Sequence, residues 1–125
     1  LHTSNCVQTI NRIIDVFPAE QQNQIRTELS FVLEGVFCQQ LVPKSNGKGR
    51  VLVSEIMLAN PAIRSLIREN KAHQVYSVIQ TSGKMGMKTM NQSLYDTYKA
   101  GHLTYEDALN YSSDLEDLKK TFQRG

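Results

Sequence analysis

The chain has 125 residues, a formal charge of +2 from 14 basic and 12 acidic side chains, and a hydrophobic fraction of 40%. That is one ordinary domain at most, apolar enough to bury a modest core and too apolar for a disordered tail. Opposite charges are interspersed, so no dense basic face points to nucleic acid, and no apolar run approaches the roughly 20 residues of a membrane span.

Cys6, Val7, Ile10, Ile13, Ile14 and Phe17 recur at three- and four-residue steps. This predicts one face of a helix, with Thr3 or Ser4 as its cap. Pro18 ends that helix and opens a second as a first-turn proline, with Ile25, Leu29, Val32, Leu33 and Val36 as its apolar stripe. The period changes near Phe37. Segments 37–43 and 51–58 are dense in β-formers and flank the polar turn 44–50, which predicts a β-hairpin. Gly47-Lys48-Gly49 lacks the G-x-x-x-x-G-K-[ST] spacing of a phosphate loop and precedes no helix, so it reads as the hairpin tip.

Asn60-Pro61 is a strong helix start, Asn as cap and Pro in the first turn. Ala62, Ile63, Leu66 and Ile67 form the apolar face of this helix, and Arg64, Arg68, Glu69 and Lys71 the charged one. A further helix is expected around Val75–Ile79, and a loop between Gly83 and Gly86. Another helix carries Met87, Met90, Leu94 and Tyr98 and stops at Gly101. Thr104 with Asp107 and Ser113 with Glu116 predict the caps of two last helices. The expected composition is six or seven short helices and one hairpin. A lone hairpin has open edges that isolated domains normally cover. The chain also begins Leu1-His2-Thr3 without Met or signal-peptide pattern. Both features predict a piece of a larger protein.

Little here carries chemistry by itself. Cys6 and Cys38 are far apart, without metal-ligand spacing, and sit in apolar periodic segments; they read as buried free thiols in a reducing compartment. His73 and His102 have no ligand partner at useful spacing. Met85, Met87 and Met90 suit packing better than a metal. There is no Ser-His-Asp or Cys-His arrangement and no paired acid motif. Arg64 and Arg68 stand four apart on one helix face beside Glu69. They form either an ordinary solvated face or a multi-donor contact surface.

The run Ala62-Ile63-Arg64-Ser65-Leu66-Ile67-Arg68-Glu69 resembles the A-I-R-N-L-I-R-E signature of the type IV pilus retraction (twitching motility) ATPases, differing only at Ser65. Segments 74–81 and 86–94 are similar to the stretches that follow it. Leu1-His2-Thr3 resembles the end of the family's histidine box, and 40–43 with 47–50 fit as well. The resemblance implies an α/β parent fold, the RecA-like P-loop NTPase of the type II/IV secretion superfamily. This piece of it is expected to be mostly α-helical with one β-hairpin. Residues 1–59 would be the C-terminal part of the ATPase core and residues 60–125 a helical motor-coupling region. It implies a homohexamer using ATP and Mg2+ in the full-length protein, with an inner-membrane platform protein of the pilus as partner and no nucleic acid. It further implies a place at the cytoplasmic face of the bacterial inner membrane, γ-phosphate sensing by His2, and coupling through Ala62, Ile63, Arg64, Leu66, Ile67, Arg68 and Glu69. The Walker A loop, aspartate box and Walker B are absent from the 125 residues, so this piece alone is expected to be inactive. The rival expectation is a stand-alone helical protein-interaction module.

Overall fold

The computed structural model describes residues 5–124. Helix α1 (Cys6–Asp15) begins at Asn5, whose Oδ1 accepts from Gln8 N at 2.8 Å. The cap is therefore Asn5, in place of the expected Thr3 or Ser4, which lie outside the described residues. Pro18 does not enter a helix: it is extended and precedes a short 3-10 turn, Ala19–Gln21, before α2 (Gln22–Val32). The expected stripe packs on the core at Ile25, Leu29 and Leu33. Val32 is exposed, Leu33 ends the helix and Val36 already belongs to β1.

Strands β1 (Gly35–Pro43) and β2 (Arg50–Leu58) pair antiparallel, with Phe37 opposite Ile56 and Leu41 opposite Leu52. Alternation sends Val36, Cys38, Val42, Val53, Glu55 and Met57 inward. The expected open edge of the hairpin is partly closed on the β2 side. Lys88 bridges Ile56, with Ile56 N to Lys88 O at 2.8 Å and the return bond at 3.1 Å. The turn is pinned too, since Ser45 N and Oγ donate to the His102 and Gly101 carbonyls at 2.9 and 2.7 Å.

Helices α3 (Pro61–Arg68), α4 (Val75–Thr81), α5 (Met90–Lys99), α6 (Tyr105–Asn110) and α7 (Leu115–Arg124) complete the chain. Met87 precedes α5 rather than opening it, because Thr89 and Gln92 form a capping box there. The expected cap at Thr104 is present. At α7 the expected Ser113 gives way to Asp114, whose Oδ1 accepts from Asp117 N at 3.2 Å. Gly86 (φ 91°) and Gly101 (φ 85°) take left-handed turns that side chains avoid. One apolar cluster joins α1 and the hairpin to Ile63, Ile67, Val75, Ile79, Leu94 and Leu118, so the core is continuous across residues 59 and 60.

Candidate functional site

Helix α3 is built locally as its sequence suggests. Asn60 Oδ1 accepts from Ile63 N at 2.9 Å, and Pro61 occupies the first turn, where its missing N–H costs nothing. At the other end Asn70 turns left-handed (φ 60°), Asn70 N reaches Ile67 O at 3.2 Å and Lys71 N reaches Leu66 O at 2.7 Å. This is a Schellman closure with Asn in the place of glycine. Ile63 and Ile67 are buried and Leu66 is half-buried, whereas Ala62, expected on the apolar face, is exposed. Each fully buried Ile stabilises by about 1.5–3 kcal/mol. That outweighs any exposed charge pair on the helix, and so decides which face turns inward.

The two arginines both reach the end of α2. Arg64 Nη1 donates to the carbonyls of Ser30 (2.8 Å) and Phe31 (3.1 Å), and its Nη2 lies 3.9 Å from Glu34 Oε2. These carbonyls belong to the last turn of α2, where intrahelical donors run out and a cation is favoured. Arg68 sits 5.8 Å above the ring of Phe31, a side chain that is itself 65% exposed. Ser65 Oγ donates to Glu69 Oε2 at 3.1 Å, within one helix turn. The structure thus brings Arg64 and Arg68 to one place and leaves Ala62, Arg68 and Glu69 facing outward. His2 lies outside the described residues.

Two buried or half-buried acids organise the rest, and the sequence reading passed over both. Glu55, 1% exposed, accepts from Cys6 N on Oε2 (2.6 Å) and from Met90 N on Oε1 (2.9 Å). Its place in the alternation with Val53 and Met57 was the signal available in the sequence. Burial, and then the charge of Glu55, push the Cys6 thiol far up, so it is an inert core group, like Cys38 a free thiol. Asp117 accepts from Tyr76 Oη (2.5 Å), Asn91 Nδ2 (2.8 Å) and Gln80 Nε2 (3.1 Å), tying α4, α5 and α7 together. Burial raises its pKa, but the hydrogen bonds from Asn91, Tyr76 and Gln80 outweigh this and leave it lowered. Tyr76 is held above the usual phenol range by burial and then by its bond to Asp117.

A cleft of about 320 Å³ opens between α1 and the start of α4, with Asn5, Gln8, His73, Tyr76 and Asp114 in its walls. No group of three His, Cys, Asp or Glu side chains among the described residues could hold a metal ion. Gly47 and Gly49 sit at the hairpin tip in open space, with no helix N-terminus behind them. No described helix is long and apolar enough to cross a membrane.

No family model matches the chain. It is 39% identical over its whole length to the type IV pilus ATPase PilU of Pseudomonas aeruginosa, covering 33% of that protein. It is 46% identical over 108 residues to the type IV pilus retraction ATPase PilT of the same organism, which is 86% of this chain and 31% of PilT. A crystal structure of the pilus retraction motor PilT with bound ADP superposes with a TM-score of 0.84 at 51% identity, over 96% of this chain and 33% of that one. The ATPase DotB of Legionella pneumophila shares the fold at 19% identity and a TM-score of 0.69. The chain spans about one third of the length of the relatives it matches. It is a PilT-like sequence of the type IV pilus ATPases, corresponding to one segment of those proteins.

Proposed function

We propose that the chain is part of a hexameric, ATP-hydrolysing motor that drives type IV pilus retraction and twitching motility. The observation that carries this is the likeness to the PilT retraction motor over 96% of the chain. The parent fold is RecA-like, with residues 1–59 the end of its ATPase core and residues 60–125 the motor-coupling helices. ATP and Mg2+ bind in the full-length protein, with His2 as a γ-phosphate sensor. The outward side chains of the hairpin support this division, because Phe37, Leu41 and Leu52 are 63%, 56% and 50% exposed and offer an apolar face for more of the core. The motor works in the cytoplasm at the inner-membrane base of the pilus, against a platform protein, and binds no nucleic acid.

Within this reading the run Ala62, Ile63, Arg64, Leu66, Ile67, Arg68 and Glu69 couples ATP turnover to retraction. Its members divide the work. Ile63 and Ile67 seat the helix, Leu66 packs at its flank, Arg64 fixes it to α2, and Ala62, Arg68 and Glu69 are left to meet a neighbour.

The test is to exchange this chain for the matching third of Pseudomonas aeruginosa PilT. The hybrid is expected to hydrolyse ATP and to restore twitching in a strain lacking PilT. A hybrid that hydrolyses ATP yet leaves twitching absent would sink the retraction assignment; a folded hybrid without ATP turnover would sink the motor assignment.

A further inference from the structure

We propose that Glu55 is a positioning residue that ties the first turns of α1 and α5 into one cooperative unit. Its two carboxylate oxygens are divided between two helices: Oε2 takes Cys6 N at 2.6 Å, and Oε1 takes Met90 N at 2.9 Å. Both N–H groups open a helix and have no partner inside it. Both helix ends carry partial positive charge, so the anion between them is attracted from two sides. At 1% exposure the carboxylate has no water to fall back on. Losing either helix would leave a buried charge half-satisfied.

The neighbours of Glu55 reinforce the link on the α5 side. Ser54 N donates to Ser93 Oγ at 3.0 Å, and Ile56 exchanges two backbone bonds with Lys88. Three consecutive residues of β2 therefore grip the start of α5, and Glu55 extends that grip to α1. Resting on the motor reading above, Glu55 joins the helix that follows Leu1-His2-Thr3 to the C-terminal helices. A shift at one helix end reaches the other through a single carboxylate.

Native-state hydrogen exchange on the full-length protein tests this. In the wild type the amides of Cys6 and Met90 are expected to open with one free energy and one denaturant dependence, as a single unit. Separate openings overturn the proposal, and this arm needs no variant to fold. Glu55→Gln keeps the shape but offers one acceptor oxygen in place of two. One of the two amides is then expected to exchange faster by about tenfold or more, while the other keeps its bond. Unchanged exchange at both amides overturns the proposal. The same variant is expected to lower kcat for ATP by about tenfold with KM within about twofold. An unchanged kcat would reduce Glu55 to a packing role and overturn its positioning one. If the wild-type full-length protein hydrolyses no ATP, the motor reading falls instead, and the exchange data still judge the joint.

Discussion

Arg64 closes the end of α2: its guanidinium stands 2.8 Å from the Ser30 carbonyl and 3.1 Å from that of Phe31. Arg68, one turn on, lies over the Phe31 ring at 5.8 Å. The two arginines of the signature are therefore expected to separate in experiment. Arg64→Ala should destabilise by about 1–2 kcal/mol through the lost charge-assisted bonds to carbonyls. Arg68→Ala should cost about 0.5 kcal/mol, in line with an exposed cation–ring contact. Urea unfolding of both variants measures the difference. If the proposed motor reading holds, Arg68→Ala in the full-length protein is expected to abolish retraction with most ATP turnover intact. Parallel loss of both activities would count against a coupling role.

Asp117 should give the fold an acid-sensitive joint. Its pKa in the folded protein is lowered from the ordinary 3.8. A carboxylate lowered on folding contributes stability above its unfolded pKa, and that contribution is lost as pH falls through the folded value. Asp117→Asn should therefore be less stable than wild type at neutral pH by about 1–2 kcal/mol, the scale of a lost bond to a charged group. The gap should close as the pH is taken below 3.8. Unfolding midpoints across that range decide it; a gap independent of pH would rule the linkage out.

Tyr76 should ionise late. Burial and the bond to Asp117 hold its proton well above the ordinary value of 10.0. A spectrophotometric titration of the five tyrosines should show one that resists alkali until the fold opens, and Tyr76→Phe should remove that late step. Persistence of the late step in Tyr76→Phe would assign it elsewhere.

Gly35 and Gly83 offer a matched pair. A Cβ at Gly35 would lie 2.9 Å from the Met57 carbonyl oxygen, a backbone atom that cannot swing aside, whereas one at Gly83 meets nothing within 4 Å. Gly35→Ala is expected to destabilise by about 1–3 kcal/mol by forcing the strands apart. Gly83→Ala should be neutral or slightly stabilising, by up to about 1 kcal/mol. Thermal unfolding of the two variants side by side checks the contrast.

Much of the fold was legible because its signals are local. Asn60-Pro61, Thr104 and Gly101 mark helix ends through chemistry that acts within one turn, and each stands where expected. The β-hairpin was legible from its β-formers and its glycine turn, with β1 beginning two residues early at Gly35. The misses lie where neighbouring choices were nearly equivalent. Asn5 and Asp114 cap in place of adjacent hydroxyl residues, and the stripe of α2 runs out at Val32 because the chain must leave the helix to enter β1.

The sequence by itself determined most of the segments, the burial of Ile63 and Ile67 in α3 and, through the run 62–69, the likeness to retraction ATPases. Only the tertiary structure decided what the charged residues do. Glu55 reads along the chain as one polar residue in a strand, and Arg64 as one of two equivalent arginines. Their roles arise when α1, α2 and α5 bring backbone groups from distant positions to them. A periodic pattern fixes which side of an element is buried, but a hydrogen bond across elements depends on distances that exist only once the core has packed.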